Sequence, residues 1–108
     1  HLAVEHFVVL CLNSRHFLIH QETVAVGSVD QCVVDPRVVF TAAVRVGASA
    51  LVVAHNHPSG SSEPSQADIA LTRQLCQAGR ALFIRVVDHM VLARDGYASL
   101  AARGQMQL

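Results

Sequence analysis

The chain has no lysine and no tryptophan, three cysteines, three prolines and one tyrosine. All eight basic residues are arginines, scattered along 108 positions and balanced by eight acidic ones. A neutral chain without a basic stripe lacks the footprint that grips phosphodiester backbones or anionic lipid, so direct nucleic-acid binding by this piece is not expected. No apolar run approaches the roughly 20 residues of a membrane-spanning helix. The opening "HLAVEHF" has neither an initiator methionine nor a charged segment ahead of an apolar one, which excludes a signal peptide and suggests a piece of a longer protein. Cys11, Cys32 and Cys76 are odd in number and widely spaced, with no C-x-x-C. They read as free, mostly buried thiols without a disulfide, as in a reducing cytoplasm. What is present is 52% apolar and 15% charged, the composition of one globular domain over residues 1–108.

"HFVVLCLN" (His6 to Asn13) and "HFLIHQETVAV" (His16 to Val26) read as two strands joined at Asn13-Ser14-Arg15, an antiparallel hairpin. "GSVDQCVVDP" is a loop. Asp35 caps a helix from Pro36 to about Val46, with Pro36 at its first position and Gly47 ending it. "ALVVAH" (Ala50 to His55) is a short continuous apolar run, expected as a strand covered on both faces. Ser65 to Ala78 reads as a second helix closed by Gly79, and "ALFIRVVDHMVLARDGYASL" as one or two strands turning at Asp95-Gly96. The order ββαβαββ predicts an α/β domain, a mixed β-sheet with flanking helices.

The chemistry concentrates in "VVAHNHPSGSSEPSQAD", Val52 to Asp68. Successive side chains of an extended chain alternate faces, so His55 and His57 point together and Asn56 points away. Pro58 disfavours helical backbone at His57 and extends that geometry through the pair. Neutral imidazole is a good zinc ligand and two can share one ion. Two polar residues in a strand-to-loop turn is the plainer alternative. Ser65-Gln66-Ala67-Asp68 fits a capping box with Ser65 as N-cap, which accounts for both residues without any metal. The turn holding Pro58, Gly60 and Pro64 can also fold the helix start over the strand end. Asp68 is then able to supply a third ligand, and two His, one Asp and a water make an open, catalytic type of zinc site.

The spacing His55-x-His57, seven residues, Ser65, two residues, Asp68 resembles the JAMM signature of the JAB/MPN metallopeptidase-like superfamily. "AHNHPSG" and the later "DHMVLARDGYASLAARG" resemble its bacterial RadC branch, and the likeness runs from about Glu5 to Gly104. It implies a JAB/MPN-like, cytidine-deaminase-like α/β fold. It also implies Zn2+ bound by His55, His57 and Asp68, with Ser65 orienting water or stabilising the oxyanion. Asn56 stands where the deubiquitinating branch usually carries Ser or Thr, a departure that argues against a ubiquitin-type substrate. The family's proton shuttle is a glutamate at the start of the first strand. Glu5 matches that position, whereas Glu22 lies within the second strand and Glu63 in the turn.

Several other signals point away from rival families. His-Asn-His is not an HNH nuclease motif, whose three letters name residues spread along a ββα fold. A zinc deaminase needs a Pro-Cys-x-x-Cys pair that is absent here. Asp88-His89 reads as a supporting or structural pair near the sheet, and His1, His6, His16 and His20 show no spacing tied to the site. The leading expectation is a zinc-dependent hydrolase of amide or isopeptide bonds acting on an unidentified peptide or protein. In it, Glu5 serves as general base and Ser65 as oxyanion donor. The rival is a non-enzymatic interaction module associated with DNA repair or mobile elements, its zinc structural or vestigial.

Overall fold

A computed structural model describes residues 4–27 and 34–106. The loop expected around Ser28 to Val33, the Cys32 thiol and His1 lie outside the described residues. The elements are β1 (Glu5–Leu12), β2 (Leu18–Gly27), α1 (Pro36–Arg45), β3 (Ala50–Asn56), α2 (Gln66–Leu82), β4 (Arg85–Ala93) and β5 (Gly96–Ser99). The strands form one mixed sheet in the order β2-β1-β3-β4-β5. Among the described strands only β3 and β4 pair in parallel, and α2 is the crossover between them. None of the described helices is long and apolar enough to cross a membrane.

The sheet is two-faced because its strands alternate. Phe7, Val9 and Cys11 of β1 and Leu51, Val53 and His55 of β3 are buried on one face. There the apolar members pack with Val39, Phe40 and Ala43 of α1 and Leu75 of α2 in one cluster. Residues Val8, Leu10, Val52 and Ala54 are only half-buried. The expected coverage of β3 on both faces is therefore not found among the described residues. The run "ALVVA" is apolar throughout, yet both described helices pack on the side of its odd-numbered residues.

Local chemistry sets the helix starts. The Asp35 carboxylate accepts from the Arg37 N–H, with Pro36 at the first position of α1. In α2 the Ser65 Oγ accepts from the Asp68 N–H at 3.0 Å while Asp68 Oδ2 accepts from the Ser65 N–H at 2.8 Å, a complete capping box. The C-terminus of α2 corrects the sequence reading. The helix runs through Gly79 to Leu82 and ends at Phe83, whose φ of 57° is left-handed. Gly79 serves close packing instead. The chain turns back so that the Ile84 N–H donates to the Gly79 carbonyl at 2.9 Å. A Cβ on Gly79 would fall on the Ile84 carbonyl oxygen and press on Val86 and Phe40. Alanine in an ordinary helix interior stabilises by about 1 kcal/mol over glycine. Here Gly79→Ala should instead destabilise by about 1–3 kcal/mol, the usual cost of overpacking, as measured by urea unfolding.

Candidate metal centre

The sheet register brings the titratable groups together. Phe7 of β1 lies opposite His55 of β3, so Glu5, two residues earlier, stands at the strand end where His57 leaves the sheet. The turn through Pro58 and Pro64 then returns the first turn of α2 over the same end. His55 Nε2 is 3.3 Å from Asp68 Oδ1 and 3.8 Å from Glu5 Oε1, and His57 Nε2 is 3.1 Å from Asp68 Oδ2. Ligand-type atoms of Glu5, His55 and His57 all lie within 4.8 Å of one another, the arrangement of a group able to hold a metal ion. Glu22 and Glu63 are not in this group. Glu22, on the edge strand β2, pairs with His20 beside it and with Arg45 of α1, and Glu63 pairs with Arg103 at the surface.

The donor set fits a divalent cation. His55 is 2% exposed, and its Nε2 is buried with no hydrogen-bond partner. A buried polar atom left unpaired costs about 1–3 kcal/mol, and such an atom facing two carboxylates and a second imidazole could be satisfied by a metal ion. The His57 ring has Nδ1 3.0 Å from the Ser61 carbonyl, which can only accept, so Nδ1 carries a proton there, and Nε2, 3.1 Å from Asp68 Oδ2, is the nitrogen turned to the site. Adjacent ligand atoms of a tetrahedral zinc site stand about 3.4 Å apart, from bond lengths near 2.1 Å. Asp68 meets that separation with His55, and Glu5 stands somewhat further from His55, at 3.8 Å.

Electrostatics separate the two carboxylates. Burial opposes ionisation of Asp68, but the neighbouring His55 imidazole and the Ser65 N–H outweigh it and hold the carboxyl well below the usual range. Glu5 is pushed up, chiefly by burial and further by Asp68, against the pull of the two imidazoles. The more basic carboxylate is thus the one further from the imidazole nitrogens.

Two supporting residues carried weaker sequence signals. Asn56 points away from the histidines, as alternation requires, and its side chain clamps the start of β1. Its Nδ2 donates to the Val4 carbonyl at 2.9 Å and its Oδ1 accepts from the His6 N–H at 2.6 Å, so both neighbours of Glu5 are tied down. His89, fully buried, has Nε2 2.8 Å from His55 Nδ1 and Nδ1 2.6 Å from the Thr72 hydroxyl. Asp88 does separate work, accepting from the Ser99 hydroxyl and the Ala101 N–H to anchor the segment after β5. Ser65 caps α2, and no hydrogen bond joins it to Glu5 or to either imidazole among the described residues. Its hydroxyl proton is not used in the capping box. Cys11 and Cys76 are free thiols.

Burial, with the His55 ring alongside, holds His89 down at about 4. The unfolded chain takes up this proton near pH 6.5 and the folded one only near pH 4, so stability is lost as pH falls through that window. In metal-free protein this loss should amount to about 3 kcal/mol, at roughly 1.4 kcal/mol for each pH unit that separates the two protonation midpoints. Urea unfolding at pH 7 and pH 4 should show it, with a flatter dependence in His89→Gln.

A RadC-like JAB domain family matches residues 1–105. A UPF0758 protein of Staphylococcus haemolyticus is 45% identical over 107 residues, covering 99% of this chain and 47% of that protein. One from Symbiobacterium thermophilum is 45% identical over 104 residues, 96% of this chain and 44% of the relative. One from Thermosynechococcus vestitus is 47% identical over 98 residues, 91% and 39% respectively. The chain spans less than half the length of each of these relatives.

Proposed function

Since this chain belongs to the RadC-like JAB domain family, we propose that it is a zinc-dependent hydrolase of amide or isopeptide bonds. The observation that carries the reading is the unpartnered, buried Nε2 of His55, set among His57, Asp68 and Glu5. His55, His57 and Asp68 would hold the ion, leaving an open position of the catalytic kind. When bound, zinc supplies Lewis-acid polarisation of the scissile carbonyl and brings the pKa of water close to 7.

The remaining steps belong to the chain. Glu5, raised by burial and held by the Asn56 clamp, accepts a proton from the attacking water and returns it to the leaving amine. Ser65 donates its free hydroxyl proton to the oxyanion. Phe7 stacks on His55, with ring centroids 5.7 Å apart, and excludes water from the inner side of the imidazole. A scaffold needs neither a base nor an open coordination position, which favours the hydrolase over an interaction module.

The test is hydrolysis of a peptide and isopeptide library by the purified protein, before and after chelation and after readdition of zinc. Cleavage that chelation abolishes and zinc restores is the expected result. Cleavage indifferent to chelation overturns the mechanism, and binding of one zinc per chain without cleavage of any linkage favours the interaction module.

A further inference from the structure

We propose that His89 and Thr72 are positioning residues whose hydrogen-bond chain fixes His55 in its Nδ1–H tautomer, so that the Nε2 lone pair is the atom presented to the metal. The proposal rests on the metal-site reading above and adds to it the device that sets the ligand's protonation.

The direction of the chain follows from its ends. Thr72 Oγ1 lies 2.7 Å from the Asp68 carbonyl oxygen. A carbonyl only accepts, so the hydroxyl proton is committed there. A hydroxyl has one proton, and Thr72 Oγ1 therefore meets His89 Nδ1, 2.6 Å away, as an acceptor. That places the His89 proton on Nδ1 and leaves its Nε2 as a lone pair. His55 Nδ1, 2.8 Å from that lone pair, must then be the donor. A neutral imidazole carries one N–H, so His55 Nε2 is bare, as a metal ligand has to be. The opposite polarity would leave the Thr72 and Asp68 oxygens at 2.7 Å with no proton between them, and would place an N–H on the nitrogen that faces the site.

Burial and packing keep the relay in place. His55, His89 and Thr72 are each at most 2% exposed, so no water competes for their polar atoms. Phe7 meets the His89 ring edge-on, with centroids 5.6 Å apart, as it stacks on His55. The chain also starts at Asp68 itself. The backbone carbonyl of one proposed ligand orients the ring of another through Thr72 and His89. Metal-bound histidines commonly donate to a carboxylate or a carbonyl. A second histidine in that place transmits a tautomer that Thr72, 17 residues before it on α2, dictates.

The experiment has two arms. In the first, the ring nitrogens of metal-free wild type are assigned by 15N NMR at pH 8. The relay requires both His55 and His89 to be protonated at Nδ1 and bare at Nε2. Protonation of His55 at Nε2 overturns it. In the second arm, zinc dissociation constants are measured by chelator competition for wild type, His89→Phe, His89→Gln, Thr72→Val and Thr72→Ser, with thermal melts on each. His89→Phe removes the acceptor for His55 and should weaken zinc binding about 10–100-fold, the usual loss for a partner of a ligand. His89→Gln keeps an acceptor oxygen and should recover most of it, and Thr72→Ser should outperform Thr72→Val. Equal affinity in His89→Phe and His89→Gln, both folded, overturns the proposal. Should wild type take up no zinc, the metal-site reading fails, and the tautomers of the first arm still judge the relay.

Discussion

His55→Ala should abolish zinc retention while the domain stays folded, and His57→Ala and Asp68→Ala should do the same. The three side chains contribute the atoms that converge from the end of β3, the residue just after it and the first turn of α2, at separations of 3.1 and 3.3 Å. Loss of one direct ligand from a three-ligand site should weaken zinc by more than the roughly 10–100-fold typical of an outer-shell partner. Asp68→Asn separates ligation from capping. The amide oxygen can still accept from the Ser65 N–H, so the start of α2 should persist, but a neutral amide is a poor substitute for a carboxylate ligand. Dialysed proteins should hold about one zinc per chain in the wild type and little in the four variants. Full zinc in all of them would move the metal elsewhere.

Glu5→Gln is expected to have the opposite profile, keeping zinc and the fold but losing turnover. Glu5 lies 3.8 Å from His55 Nε2, further than Asp68, and burial raises its affinity for a proton. A carboxylate so placed suits proton transfer better than ligation. Removing it should slow hydrolysis of any accepted substrate by roughly 10²–10⁴-fold, the usual contribution of general acid–base catalysis. Glu22→Gln should change little, since Glu22 is engaged with His20 on its own strand and with Arg45 at the end of α1. Rates, zinc content and thermal melts on the three proteins decide the point. Full activity in Glu5→Gln with a dead Glu22→Gln would mean a different base, and loss of zinc in Glu5→Gln would make Glu5 a ligand.

Much of this arrangement is legible in the sequence because it is local. Asp35-Pro36 and Ser65-x-x-Asp68 are short-range caps, and both form. Alternation puts His55 and His57 on one side of the chain, and the order ββαβαββ already implies a mixed sheet. Tertiary contacts account for what was not legible. Gly79 resembles a helix terminator by composition, but the need for it comes from Ile84 approaching the helix backbone. The apolar run of β3 resembles a strand covered twice, and only the packing of α1 and α2 shows which face they take. Thr72 has no signal of its own, being an ordinary helical residue until His89, 17 positions later, arrives beside it. Asn56 is noticeable between its histidines, yet its grip on the backbone flanking Glu5 spans about 50 residues of sequence.

The most direct test of the metal centre is anomalous diffraction at the zinc edge from crystals of the wild-type chain grown with zinc. One strong peak per chain is expected, in contact with Nε2 of His55, Nε2 of His57 and the Asp68 carboxylate, with Glu5 nearby but not bound. A peak at any other cluster, or no peak beside His55 in a crystal that has taken up zinc elsewhere, would contradict it.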